Sequence, residues 1–128
     1  MKKRILIAED EFNLNELYSF FINDWGYDTL RAYDGESALD MYKEHKPDAI
    51  ITDGQMPRMT GKELVDIIRQ TDMETPILYH SGSPLPMVKG IPNLYLGQKG
   101  ADIGYIQAFL RMSLDNPEAR QAMSWVPK

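Results

Sequence analysis

Ala49-Ile50-Ile51-Thr52-Asp53-Gly54-Gln55-Met56-Pro57-Arg58-Met59-Thr60-Gly61 joins a strand to a helix. The first four residues form a short continuous apolar run, as in a strand buried on both faces, and the run ends in a carboxylate. Gly54, Pro57 and Gly61 mark a loop. Thr60 and Glu63 then stand at capping-box spacing ahead of Leu64, Val65, Ile67 and Ile68, which predicts a helix start. Outward from this segment the same alternation recurs. Ile5-Leu6-Ile7-Ala8 reads as a buried strand, and Leu14, Leu17, Tyr18, Phe21 and Trp25 place a helix over roughly 12–24. Tyr27–Ala32 reads as a strand, followed by a turn at Asp34-Gly35 and a helical face of Ala38, Leu39, Met41 and Tyr42 that Pro47 stops. Ile77–His80 and Leu94–Leu96 supply two more strands, and Ile103, Ile106, Phe109 and Leu110 a last helix. Pro84, Pro86, Gly90 and Pro92 leave room for about one helical turn between those two strands.

Short apolar strands alternating with helices imply a parallel sheet covered on both faces, whose ligands gather beyond the carboxyl ends of the strands. Those ends carry Glu9-Asp10-Glu11, Asp53, Ser81 and, after Gln98, Lys99. Unpaired carboxylates about 4 Å apart repel by roughly 4 kcal/mol at an effective dielectric near 20, and a divalent cation relieves that repulsion. Oxygen ligands without Cys or His point to Mg²⁺. Each residue alone has an ordinary reading: an acidic helix start, a turn aspartate, a turn serine, a surface lysine. Their joint placement at successive strand ends is what suggests a site.

Composition narrows the classes. The 128 residues suit one domain, expected as residues 1–115 with 116–128 as a tail. The chain has no cysteine, which excludes disulfides and thiolate metal sites. A net charge of -5 argues against binding along a nucleic acid backbone. No apolar run is long enough for a membrane span or a signal peptide, so a cytoplasmic location is expected. His45, near a helix end, and His80, facing away from Ser81 on its strand, are assigned structural roles.

The segments Ile5–Glu11, Ile51–Gly61 and Thr75–Gly82 resemble the receiver domains of bacterial two-component response regulators, with the likeness covering roughly residues 3–114. The second segment is the most specific: Asp53, then Met56-Pro57, Met59 and Gly61. The resemblance implies a flavodoxin-like, doubly wound five-stranded parallel sheet of order 2-1-3-4-5, here with the helix between strands four and five shortened or missing. It implies that Asp53 accepts a phosphoryl group from a histidine kinase or histidine phosphotransfer protein. Glu9, Asp10, Asp53 and the backbone carbonyl of Gln55 would hold Mg²⁺, Ser81 would bond the phosphoryl oxygen and Lys99 would pair with its charge. The protein would then be a switch that catalyses only its own phosphorylation and dephosphorylation. No output domain fits after residue 114, so its signal would pass by contact with a downstream protein.

The chain departs from the family pattern where Lys99 precedes Gly100 instead of proline, and where Tyr95 lies four residues before Lys99 instead of three. Either Leu96 takes the aromatic position, or the strand carries an extra residue, so that Gln98 takes the lysine position and Lys99 substitutes from the next residue. A phosphorylation-independent interaction module is the alternative function. A flavin-type binder would want a hydroxyl- and glycine-rich phosphate loop where Glu9-Asp10-Glu11 stands.

Overall fold

A computed structural model describes residues 2–82, 91–99 and 103–115. The elements run β1 (Arg4–Ala8), α1 (Phe12–Asp24), β2 (Asp28–Ala32), α2 (Gly35–His45), β3 (Ala49–Asp53), α3 (Gly61–Ile68), β4 (Ile77–Ser81), β5 (Leu94–Gln98) and α4 (Gly104–Leu110). The last helix continues as a wider π-helical turn over Arg111–Asp115. The five strands form one parallel sheet in the order β2-β1-β3-β4-β5, the doubly wound flavodoxin-like topology. The helix expected to be shortened or missing between β4 and β5 concerns residues 82–93, of which 83–90 lie outside the described residues, as does the expected tail, 116–128.

Side chains alternate across the strands and build two cores. Ile5, Ile7, Ala49, Ile51, Leu78 and Tyr95 face α1 and α4, where they meet Tyr18, Ile22, Ile106 and Phe109. Leu6, Ala8, Ile50, Ile77, Tyr79 and Leu94 face α2 and α3, against Ala38, Leu64, Val65 and Ile68. Burial on both sides explains why these strands read as unbroken apolar runs.

The local signals act through backbone groups. Thr60 accepts from the Glu63 amide while the Glu63 side chain accepts from the Thr60 amide, the reciprocal cap that starts α3. The turn expected at Asp34-Gly35 runs directly into α2: Asp34 accepts from the Ser37 amide at 2.7 Å and Gly35 is the first helical residue. Gly26 turns the chain from α1 into β2 at φ 103, a conformation open to glycine.

At the amino-end edge of the sheet, Arg69 is buried and gives its guanidinium to the carbonyls of Pro92, Asp72, Thr75 and Asn93. The carboxylate of Asp72 in turn accepts from Tyr42 Oη and Thr75 Oγ1, both at 2.6 Å. These bonds fix the end of α3 against the entries to β4 and β5.

Candidate phosphoacceptor and metal site

The parallel register brings the carboxyl ends of β1, β3, β4 and β5 to one edge. There Glu9, Asp10 and Asp53 each present a carboxylate oxygen, and these oxygens lie within 4.8 Å of one another. Glu9 and Asp53 are buried and Asp10 is exposed. Glu9 is held because its amide donates to the Ala32 carbonyl, extending the β1–β2 ladder, and because its Oε2 accepts from the Glu11 amide. Asp53 Oδ1 accepts from the Gln55 amide at 3.3 Å. The loop after it returns through Gly61, whose amide donates to the Gly54 carbonyl; a β-carbon on Gly61 would collide with the Asp53 carbonyl oxygen.

Lys99 supplies the cation. Its Nζ lies 2.6 Å from Glu9 Oε1 and donates to Asp53 Oδ2 at 2.9 Å. The Glu9 contact is one of charge more than of aligned hydrogen bonding. Burial pushes the Glu9 carboxyl up to about 7, with Lys99 and the Glu11 amide offsetting only part of the effect. Burial also works against the Lys99 ammonium, but its contacts with the Glu9 and Asp53 carboxylates outweigh that and hold its pKa above the usual lysine range. The pair thus keeps the ammonium charged and leaves Glu9 the group that takes up a proton near neutrality.

The register of β5 places Lys99 at the carboxylates. Ser81 pairs with Gln98, Tyr79 with Leu96 and Leu78 with Tyr95, and the Lys99 amide donates to the Ser81 carbonyl. Gln98 is exposed, and Lys99 reaches the carboxylates. Leu96 lies on the α2–α3 side, whereas Tyr95 packs edge-on against Phe109 of α4. No peptide bond among the described residues is cis, and Gly100 falls outside them.

Three residues that sequence reasoning passed over shape the site. Asn15 is wholly buried, and its amide donates to the carbonyls of Glu9 and Ala32 while accepting from Arg31 Nε. Its signal was positional: Asn15 shares the inward helix face with Tyr18, Ser19 and Ile22. Tyr79 lies beside Gly54 and Ser81. Burial, then the Asp53 charge, hold its phenol above the usual tyrosine range, so it stays protonated. Tyr105 reaches from α4 to His80 Nδ1 at 2.7 Å. Burial, then the Lys99 charge, pull His80 down to about 3, so the ring is neutral and serves packing.

Carboxylates and an ammonium thus gather at the carboxyl edge of the sheet, a setting suited to a cation and to phosphoryl oxygens. Residues 5–88 match the response regulator receiver domain family, and the chain belongs to it. It is 37% identical over 78 residues to the alkaline phosphatase synthesis transcriptional regulatory protein PhoP of Bacillus subtilis, covering 61% of this chain and 32% of that protein. It is 38% identical over 73 residues to the polar-differentiation response regulator DivK of Brucella anthropi, covering 56% of this chain and 58% of that one. The matched stretch therefore spans less than two thirds of either relative. Among solved structures, response regulator TrrA of Thermotoga maritima, in complex with Mg²⁺-BeF, superposes with a TM-score of 0.79 at 26% identity, over 89% of this chain and 100% of that one. Among the described residues, no helix is long and apolar enough to cross a membrane.

Proposed function

We propose that this chain is a phosphoacceptor switch of a two-component phosphorelay, with Asp53 the acceptor. The observation that carries the reading is the convergence of Glu9, Asp10 and Asp53 with the Lys99 ammonium already on Asp53. A carboxylate oxygen of Asp53 attacks phosphorus as the bond to the donor nitrogen of a histidine kinase or phosphotransfer protein breaks, giving an acyl phosphate. Lys99, fixed by buried Glu9, is poised to neutralise the phosphoryl oxygens, and Ser81 is a donor from the neighbouring strand. Hydrolysis restores Asp53, so the chain catalyses only its own phosphorylation and dephosphorylation.

The donor set fits Mg²⁺: hard carboxylate oxygens, with one exposed residue to leave room for waters. Glu9, Asp10, Asp53 and the Gln55 carbonyl would hold it, and its charge would offset that of the phosphoryl oxygens. The TrrA complex with Mg²⁺-BeF supports the assignment by analogy. We assign residues 1–115 to the receiver, 116–128 to a tail, the location to the cytoplasm and the output to contact with a downstream protein.

Intact-mass measurement with acetyl phosphate tests the reading. A single adduct of about 80 Da, one phosphoryl group, should form with Mg²⁺ and vanish in Asp53→Asn. An undiminished adduct in that variant refutes the acceptor. No adduct on the wild type favours the phosphorylation-independent module.

A further inference from the structure

Tyr79 has no part in the chemistry above, yet it stands against the residue that follows the acceptor. It lies on β4, two residues before Ser81 and therefore on the same face of the sheet. A β-carbon built on Gly54 would meet Tyr79 Oη at 2.6 Å, Tyr79 Cζ at 2.9 Å and Ser81 Cβ at 3.2 Å. The phenol tip and the Ser81 side chain thus share the space that any residue larger than glycine would claim at position 54. Gly54 cannot retreat from them. Its amide donates to the His80 carbonyl at 2.9 Å, and its carbonyl accepts from Gly61 at 3.1 Å. Nor can the ring withdraw easily, since its body is buried in the core that includes Leu64 and Met56.

We propose that Tyr79 is a positioning residue for the phosphoryl site: its phenol tip, which with Ser81 borders the space beside Gly54, sets where the Ser81 hydroxyl meets a phosphoryl group on Asp53. The proposal rests on the phosphoacceptor reading. Ser81 is assigned to the phosphoryl oxygens and not to the cation, so loss of its position must weaken a phosphoryl mimic while sparing Mg²⁺. A general packing defect has no reason to separate the two.

Calorimetric titration of Mg²⁺, and then of beryllofluoride at saturating Mg²⁺, distinguishes these outcomes. Tyr79→Leu keeps an apolar side chain but falls short of Gly54. It should weaken beryllofluoride about tenfold, the scale of one hydrogen bond to a charged group, with the Mg²⁺ Kd within about twofold. Tyr79→Phe keeps the ring and should stay within about threefold of wild type for beryllofluoride. In a Ser81→Ala background, Tyr79→Leu should add nothing, because the group it positions is gone. Gly54→Ala attacks the same contact from the other side without opening the core, and should mimic Tyr79→Leu even if that variant folds poorly. Wild-type affinity in both Tyr79→Leu and Gly54→Ala, additive losses with Ser81→Ala, or a loss in Tyr79→Phe equal to that in Tyr79→Leu would each overturn the proposal alone. Failure of the wild type to bind beryllofluoride at all would overturn the acceptor reading along with it.

Discussion

Lys99 and Glu9 form an ion pair in which the carboxylate side chain is sealed from solvent and the ammonium is one-fifth exposed, at 20%. The asymmetry means that Lys99 can exchange its partners with solvent or ligand, whereas buried Glu9 has, besides the Glu11 amide on its other oxygen, only the cation in front of it.

Removal of that cation should therefore be felt first by Glu9. Lys99→Met should destabilise the Mg²⁺-free protein by about 2 kcal/mol, below the 3–5 typical of fully buried pairs because Lys99 is partly exposed. Mg²⁺ should then stabilise the variant more than the wild type, since it replaces the missing charge. Denaturant melts with and without Mg²⁺ measure both effects; equal Mg²⁺ increments in the two proteins would contradict the shared role.

The elevated Glu9 pKa gives a pH signature with a definite sign. The carboxyl goes from an ordinary 4.5 to about 7 on folding. The folded state thus binds the extra proton, and this group's contribution is fully present below 4.5 and lost as pH rises through 7. Mg²⁺ needs the carboxylate, so its apparent affinity should rise about tenfold from pH 6 to 8 with release of a proton. Titrations in buffers of different ionisation enthalpy report that proton. Glu9→Gln should flatten the stability profile and abolish the proton release; an unchanged profile would show that another group is titrating.

At the opposite edge, Arg69→Lys is not a conservative change. An ammonium cannot reproduce the planar fork that serves the carbonyls of Pro92, Asp72, Thr75 and Asn93. The loss should be about 3 kcal/mol by urea unfolding, with beryllofluoride binding at the far edge intact. A cost below about 1 kcal/mol would mean that water replaces those bonds freely.

Asp72 governs the acid limb. Burial opposes its charge, but bonds from Thr75 and Tyr42 and the amides of Thr75 and Glu74 more than compensate, holding the carboxyl at about 2. Its contribution is present above 3.8 and is lost as pH falls through 2. Asp72→Ala should cost about 1–2 kcal/mol at pH 7, allowing for partial exposure, and almost nothing near pH 2. Parallel melts across that range would reveal a cost that does not shrink, and so refute the assignment.

The fold was legible because its strands are buried on both faces. Ile5–Ala8 and Ala49–Thr52 have no polar side to disguise them, and the Thr60–Glu63 box marks the start of α3 by local chemistry alone. The convergence of Glu9, Asp10 and Asp53 was legible for the same reason, since parallel strands must bring their carboxyl ends together. The alignment that brings Lys99 to Asp53 was not. How Gln98 and Lys99 sit at the end of the strand depends on the register of β5 against β4, a pairing between distant segments that no local spacing encodes. Asn15 and Tyr79 stayed hidden because their roles depend on which backbone atoms another strand brings within reach.

The Arg69 clasp makes the two edges of the sheet mechanically unequal. One guanidinium rivets the end of α3 to the segments that open β4 and β5, so those three elements share a common post. Motion started at Asp53 meets that post after the length of a five-residue strand. A change at Asp53 must therefore be accommodated at the carboxyl edge, or run the length of the strand before it reaches an end held by four charge-assisted bonds.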